Sequence, residues 1–304
     1  MKPSRYNGLI AATLTPMKAT REVSLDHVGP QIDRLIERGV AGLYVCGSTG
    51  EGVSLTTVER KAITVESIRA AAGRVPVLVQ VGHNSLAEAA ELAAHAAASG
   101  AAAISATCPS YFKISSLQVL VNSMKTVAAG APDLPFYYYH IPTLTGNRIS
   151  MAEFLKLGRE AIPNLVGLKY TSPELHEYQQ CIELDGGRFE VMWGVDEMLI
   201  GALAVGCKAA VGSTYNVAAP LYRRLITAFE QGDLAKTRQY QSQAIAFISI
   251  VVDFPFQSAM KHILHWQGSP AESYCRLPQQ ELTLEQITSL HSRLAAIGFF
   301  DWCT

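Results

Sequence analysis

Eight short, mostly apolar segments alternate with segments of helical periodicity, and this alternation restricts the possible folds more than any other feature of the sequence. Glycine, proline or small polar residues bound the apolar segments, as they commonly bound strands. The predicted strands are residues 8–14, 40–46, 75–81, 102–108, 135–139, 165–171, 189–193 and 209–212. A helical pattern follows each strand after a short connection, which is typical of compact β/α units.

The eight units predict an α/β protein with the (β/α)8 TIM barrel fold. Several of the strands are almost wholly apolar, as expected for parallel strands that are covered on both faces. A doubly wound open sheet is the alternative, but it predicts a glycine-rich phosphate turn where this chain has Thr13-Leu14-Thr15-Pro16. We therefore expect a barrel domain over residues 1–231. Further helical patterns predict a C-terminal helical appendix over residues 232–304, packed on the barrel.

Composition and charge narrow the class of protein. The 304-residue chain has a net charge of -1, from 25 basic and 26 acidic residues, so nucleic acid and anionic membranes are not expected partners. The six cysteines are widely scattered without a spacing that suits zinc, which is typical of reduced thiols in a cytosolic protein. No signal peptide or membrane-spanning segment is recognisable. These features predict a cytoplasmic protein that holds no metal.

Lys169 lies within the sixth predicted strand, between Leu168 and Tyr170. Lysine is rarely buried without a partner, because desolvation disfavours its charged form. A neutral amine is a nucleophile that forms a Schiff base with a carbonyl substrate. The alternative is that Lys169 reaches solvent at the strand end or pairs with an acid such as Glu174. The strand by itself leaves both interpretations open.

Polar side chains follow several of the predicted strands, at the end of the barrel where (β/α)8 enzymes build their active sites. The candidates are Ser48, Thr49, Tyr111, Tyr139, Lys169, Thr171, Gly194, Asp196, Glu197 and Ser213. Taken singly, each has a structural explanation as a turn residue, a core aromatic or a helix cap. Their shared placement on one rim around a lysine favours a catalytic site.

The segment Gly47-Ser48-Thr49-Gly50-Glu51 places two hydroxyls and flexible backbone amides just before a helix. Such a turn can form an anion-binding nest for a carboxylate. An ordinary turn between a strand and a helix would have a similar composition. The segment therefore supports a carboxylate site only together with the other rim residues.

Four ordered motifs resemble those of the class I, pyruvate-dependent aldolase family typified by N-acetylneuraminate lyase and dihydrodipicolinate synthase. They are Gly47-Ser48-Thr49-Gly50-Glu51, Tyr139-His140-Ile141-Pro142-x-x-Thr145-Gly146, Gly167-Leu168-Lys169-x-Thr171 and Gly212-Ser213-Thr214. The resemblance covers essentially the whole chain and is greatest to members that act on sialic acid. Leu144 stands where the synthase has an arginine for a dicarboxylic substrate, which fits a sugar acid. His140 stands where many members have asparagine.

The resemblance implies a Schiff-base aldolase that cleaves N-acetylneuraminate reversibly to N-acetylmannosamine and pyruvate, without a cofactor. Lys169 would form the imine, Tyr139 would act as the base, and Tyr111 and Thr49 would tune its proton. Ser48 and Thr49 would hold the pyruvyl carboxylate. The sugar hydroxyls would contact Thr171, Gly194, Asp196, Glu197 and Ser213.

The family's usual assembly is a homotetramer. Two alternatives stay open at this stage: another pyruvate-type aldolase or dehydratase, such as 4-hydroxy-tetrahydrodipicolinate synthase or a 2-keto-3-deoxy sugar acid aldolase, and a catalytically silent barrel that acts as a sensor.

Overall fold

The computed structural model describes residues 6–303. Outside the described residues lie Thr304 and residues 1–5, which begin the segment considered for a signal peptide. All eight predicted strands are confirmed. They are β1 (Gly8–Ala12), β2 (Gly42–Val45), β3 (Val77–Gln80), β4 (Ala103–Ala106), β5 (Phe136–His140), β6 (Leu165–Tyr170), β7 (Glu190–Trp193) and β8 (Ala209–Gly212). Consecutive strands pair in parallel, and β8 pairs with β1 to close the barrel.

Helices surround the barrel and continue beyond it. They are α1 (Val28–Glu37), α2 (Thr57–Ala71), α3 (Leu86–Ala98), α4 (Leu117–Ala128), α5 (Pro142–Thr145), α6 (Met151–Ala161), α7 (Leu175–Gly187), α8 (Leu199–Ala204), α9 (Tyr215–Glu230), α10 (Leu234–Val251), α11 (Phe256–Trp266), α12 (Leu284–Ala296) and α13 (Phe299–Trp302). The fold is the predicted (β/α)8 barrel followed by C-terminal helices.

The last barrel helix begins earlier than the sequence indicates. The periodic pattern predicts a start near Leu221, directly after Pro220, but α9 starts at Tyr215. Ala218 departs from helical geometry with φ of -128°, so the helix is kinked two residues before the proline. A proline within a helix removes a backbone donor and clashes with the preceding turn. The kink therefore explains how one helix contains Pro220.

Side chains alternate between the barrel interior and the helical layer, because successive residues of a strand face opposite sides. On β5, Tyr137 and Tyr139 belong to the inner cluster, whereas Tyr138 packs with the helices. On β6, Tyr170 also packs outward, and its hydroxyl donates to Glu177 at 2.9 Å. Lys169 is therefore on the inner side of β6, beside Tyr139, its register partner on β5.

The C-terminal helices pack against the barrel helices and one another. The rings of Phe247 on α10 and Phe299 on α13 stack with centroids 4.5 Å apart, and both side chains are buried.

Among residues 6–303, no single helix has the length and apolar character needed to cross a membrane. Within this described range, only α10 and α11 taken together reach those values, and they meet at an angle of 117°.

Candidate active site

A cavity of about 190 Å³ opens at the carboxyl ends of the strands. It is lined by Ser48, Thr49, Tyr139, Ile141, Lys169, Thr171, Gly194, Val211, Ser213, Phe256 and Gln257. Seven of the residues predicted from the sequence are in this lining: the lysine, one tyrosine, Gly194 and four hydroxyl side chains. The cavity thus brings together groups from strands that are far apart in the sequence.

Lys169 is only 4% exposed, and its amine lies between two aromatic rings. The Nζ atom is 4.1 Å from the ring centroid of Tyr44 and 4.0 Å from that of Tyr139. Within the described residues no carboxylate forms an ion pair with this amine, and Glu174 accepts a hydrogen bond from Ser172 instead. The pairing with Glu174 considered from the sequence is therefore wrong. Electron-rich ring faces at this distance stabilise a cation such as a protonated imine.

The two tyrosines beside Lys169 have different surroundings. The Tyr44 hydroxyl donates to Ser105 Oγ at 3.1 Å and does not line the cavity. Burial, reinforced by the neighbouring Tyr139, raises the pKa of Tyr44 well above its ordinary value. Tyr44 therefore remains a neutral phenol near neutral pH. Tyr139 lines the cavity and is the tyrosine positioned to exchange a proton with a bound molecule.

The loop that follows β2 carries Ser48 and Thr49 and is tightly turned. The Gly52 amide donates to the Gly47 carbonyl at 3.0 Å, and the Thr15 hydroxyl donates to the Gly50 carbonyl at 2.6 Å. A Cβ atom at Gly52 would lie 1.9 Å from the Cys46 carbonyl oxygen, so only glycine fits there. The turn presents Ser48 and Thr49 to the cavity, as the nest interpretation requires.

Thr171 and Gly194 form the wall next to Lys169. The Thr171 Oγ1 atom is buried and has no hydrogen-bond partner within residues 6–303. A Cβ atom at position 194 would lie 2.1 Å from this oxygen, so glycine is needed for β6 and β7 to approach. Buried hydroxyls are normally satisfied. A bound molecule with a hydroxyl group would supply the missing partner.

The cavity lining does not include three of the predicted site residues: Tyr111, Glu197 and Asp196. The side chain of Tyr111 is largely exposed, and the Tyr111 and Ser110 amides donate to Asn84 Oδ1 on the exposed side of the loop. Glu197 is exposed in the turn after β7. Both lie on loops whose direction the strand pattern does not determine.

Asp196 is buried and directed towards the end of β8 instead of into the cavity. Its Oδ2 atom accepts hydrogen bonds from the Thr214 amide at 3.1 Å and the Thr214 hydroxyl at 2.5 Å. A Cβ atom at Gly212 would lie 2.1 Å from Asp196 Oδ1, so the carboxylate contacts the strand backbone closely. Burial raises the pKa of this carboxyl, although the Thr214 hydrogen bonds oppose the rise. The structure thus places Asp196 as a support for the strand end that carries Ser213.

Sequence reasoning missed Tyr44, Phe256 and Gln257. Tyr44 lies in the middle of β2, where an aromatic residue is expected in the core, and only its packing on Lys169 distinguishes it. Phe256 and Gln257 begin α11, about 90 residues after Lys169 in the chain, and their position over the barrel mouth depends on how the appendix packs. No local pattern could have indicated these contacts.

His140 follows Tyr139 on β5 and points away from the cavity into the helical layer, where its ring lies 5.2 Å from that of Tyr170. Its Nδ1 atom is buried without a partner within the described residues, and burial lowers the pKa of His140 to about 4, against smaller opposing effects of Glu177 and Glu174. The unfolded chain should bind this proton near the ordinary pKa of 6.5. The stability linked to neutral His140 is therefore complete above that pH and is lost as the pH falls towards about 4.

Replacing His140 with asparagine should remove this pH dependence. Between about pH 7 and pH 5 we expect the wild type to lose roughly 2 kcal/mol more unfolding free energy than His140→Asn. Chemical denaturation at the two pH values measures the difference. His176→Asn changes an exposed histidine of α7, the helix that carries Glu177. This variant should keep the wild-type dependence. Equal losses in wild type and His140→Asn would show that His140 is not the group responsible.

The fold and the cavity define a (β/α)8-barrel protein with a buried lysine surrounded by phenol and hydroxyl groups at the carboxyl ends of its strands. Residues 5–297 match the model of the dihydrodipicolinate synthetase family. The chain belongs to this family. N-acetylneuraminate lyase of Rattus norvegicus is 38% identical over 302 residues, covering 98% of this chain and 94% of the relative.

Two solved structures have closely similar folds. N-acetylneuraminate lyase of Proteus mirabilis superposes with a TM-score of 0.94 at 37% identity, covering 97% of this chain and 100% of the other. A prophage protein of E. coli K12 from the dihydrodipicolinic acid synthase family, determined in complex with pyruvate, superposes with a TM-score of 0.90 at 28% identity. That match covers 97% of this chain and 99% of the other.

Proposed function

We propose that this protein is a Schiff-base aldolase that cleaves N-acetylneuraminate reversibly to N-acetylmannosamine and pyruvate. The observation that carries the proposal is the amine of Lys169, which has no carboxylate partner among the described residues and is buried between two aromatic rings in a cavity lined by hydroxyl groups. The names of the rat and Proteus mirabilis relatives support the choice of substrate. The pyruvate complex of the E. coli relative supports the three-carbon product.

The reaction begins with attack of the Lys169 amine on the C2 carbonyl of the open-chain sugar acid. Loss of water gives a protonated imine, whose positive charge the Tyr44 and Tyr139 ring faces stabilise. Cleavage of the C3–C4 bond would otherwise leave a carbanion at C3. The iminium accepts that electron pair and becomes an enamine, which is why covalent catalysis lowers the barrier.

A base must remove the proton of the C4 hydroxyl as the C3–C4 bond breaks. We assign this role to Tyr139, which lines the cavity beside Lys169 and would relay the proton through or alongside the substrate carboxylate. Thr49, in the loop after β2, also lines the cavity and would tune the Tyr139 proton. The departing fragment becomes the aldehyde N-acetylmannosamine. The enamine is then protonated at C3, and water hydrolyses the resulting imine to release pyruvate and regenerate the Lys169 amine.

The remaining polar groups are assigned to binding. Ser48 and Thr49, in the tight turn after β2, would hold the pyruvyl carboxylate. Thr171, Gly194 and Ser213 would face the sugar hydroxyls, since they line the other side of the cavity. Glu197, exposed near the rim, would accept hydrogen bonds from the distal hydroxyls. Asp196 would act indirectly by fixing the end of β8.

We propose a homotetramer in the cytoplasm. The rings of Tyr111 and Phe112 pack edge to face with centroids 5.1 Å apart, and the two side chains are 78% and 83% exposed. An exposed aromatic pair of this kind is typical of a surface that another chain covers. Tyr111 would contribute to catalysis only in such an assembly.

All six cysteines are buried and free, as in proteins of reducing compartments.

An assay across a panel of sugar acids tests the proposed reaction. Separate coupled assays measure pyruvate and N-acetylmannosamine. The compounds tested are N-acetylneuraminate, other 2-keto-3-deoxy sugar acids and the substrates of 4-hydroxy-tetrahydrodipicolinate synthase. We expect equal amounts of the two products from N-acetylneuraminate and higher kcat/KM for it than for the other acids. Release of water without carbon–carbon cleavage would identify a dehydratase. No turnover of any acid, with binding retained, would identify a sensor.

A further inference from the structure

The loop carrying Ser48 and Thr49 is strained at both ends. Cys46 and Glu51, which bound it, have φ of 58° and 56°, in the left-handed region that residues with a side chain seldom adopt. Such conformations persist only where the surroundings hold them. Thr15 holds the loop through the Gly50 carbonyl on the β1 side. On the other side, the contact that holds Glu51 comes from the C-terminal appendix.

Glu51 forms a buried ion pair with Lys261 of α11. Lys261 Nζ donates to Glu51 Oε1 at 2.6 Å, and the two side chains are 4% and 0% exposed. Lys261 Nζ also donates to the Tyr274 carbonyl, and the Arg276 amide donates to Glu51 Oε2 at 2.8 Å. Both carboxylate oxygens of Glu51 are therefore fixed by the appendix. Removing one member of a buried pair leaves an uncompensated charge.

A second group of hydrogen bonds connects the appendix to the same region. The Arg276 guanidinium donates to both Glu59 carboxylate oxygens, each at 2.7 Å, and to the Ser54 and Arg21 carbonyls. Hydrogen bonding from Arg276 lowers the pKa of Glu59 to about 2. The segment that contains Tyr274 and Arg276 thus covers the chain from Glu51 to Glu59. Lys261 is the buried cation at the centre of this contact.

We propose that Lys261 is a positioning residue for carboxylate binding, an inference that rests on the proposed function. Lys261 keeps Glu51 in its left-handed conformation, and this holds the Ser48 and Thr49 amides and hydroxyls in the geometry that receives the pyruvyl carboxylate. Lys261 is not among the residues that line the cavity. The appendix therefore acts on the site in two ways: Phe256 and Gln257 form part of the wall, and Lys261 orders the carboxylate loop.

Saturation of imine trapping by pyruvate tests this inference in the full-length protein. Wild type and Lys261→Met are reduced with borohydride over a range of pyruvate concentrations, and the labelled fraction is measured by intact mass. For Lys261→Met we expect the half-saturating pyruvate concentration to rise at least about tenfold, since hydrogen bonds to the carboxylate are weakened. The labelled fraction at saturation should match wild type. In the cleavage assay KM should rise while kcat changes less than about threefold.

Two further variants separate positioning from simple destabilisation. Leu120→Ala removes a fully buried side chain of α4, which packs against α3, α6 and β4, and should lower Tm while leaving half-saturation unchanged. If Lys261→Met fails to fold, Lys261→Met/Glu51→Gln removes the unpaired charge and should fold with half-saturation still raised. An unchanged half-saturation in the folded variant would overturn the proposed role of Lys261. An unlabelled wild type would instead overturn the proposed function, and the inference with it.

Discussion

Replacing Lys169 with alanine is expected to lower turnover of N-acetylneuraminate by at least about 10⁴-fold, because the nucleophile that forms the imine is lost. No other primary amine lines the cavity of the described chain. Treatment with pyruvate and borohydride, followed by intact-mass measurement, checks the chemistry directly. The wild type should gain the mass of pyruvate plus two hydrogens less one water. The variant should gain nothing.

Lys208→Ala is the matched control for this experiment. Lys208 is an exposed lysine immediately before β8, at the end of the barrel opposite the cavity. The control should be labelled by pyruvate and should turn over substrate as the wild type does. Labelling of Lys169→Ala to the wild-type extent would place the imine on a different lysine. Normal turnover by an unlabelled wild type would exclude a covalent mechanism.

Replacing Tyr139 with phenylalanine is expected to lower cleavage by about 10²–10⁴-fold while imine formation with pyruvate is retained, because the base is lost but the electrophile still forms. The phenylalanine ring keeps the aromatic face 4.0 Å from Lys169 Nζ, so the cation is still stabilised. Single-turnover cleavage of N-acetylneuraminate and borohydride trapping of pyruvate measure the two steps separately. The expected result is a large loss in the first measurement and near-normal labelling in the second.

Tyr137→Phe provides the control on the same strand. The Tyr137 hydroxyl donates to Glu190 Oε2 at 2.6 Å, deeper in the barrel than Tyr139 and outside the cavity lining. Its loss should affect stability more than cleavage, because the Glu190 carboxylate loses the hydrogen bond that Tyr137 donates. Near-normal cleavage by Tyr139→Phe would remove Tyr139 from the proton transfer. An equal loss in both tyrosine variants would attribute the effect to packing of the inner cluster.

The fold was predictable because its determinants are local. The alternation of strands and helices with short connections restricts a chain of this length to few architectures, and adjacent units in such a chain form neighbouring strands. The inward direction of the Lys169 side chain could also be predicted from the sequence. Strand residues alternate between faces, so an outward Tyr170 implies an inward Lys169. In the structure Tyr170 points outward, and its hydroxyl contacts Glu177.

The rim of the site was predictable from closeness to a strand end, but the residues that line the cavity were only partly so. Ser48, Thr171 and Ser213 lie within a few residues of a strand end, and the barrel geometry brings such positions together. Tyr111 and Glu197 lie on loops whose course depends on tertiary packing. Asp196 lies three residues after the end of β7, but its hydrogen bonds to Thr214 turn it towards β8. A residue's distance from its strand therefore predicts its neighbourhood and not its side-chain direction.

The sequence by itself determined the eight-unit barrel, the rim that carries the chemistry and the lysine at its centre, because these follow from periodicity and from the order of neighbouring strands. Only the tertiary structure decided which tyrosine rings flank that lysine and which part of the appendix completes the site. Glu51 and Lys261 are 210 residues apart, and Phe256 is similarly remote from Ser48. Contacts over such distances depend on how whole helices pack, and the local sequence at either end carries no sign of its partner.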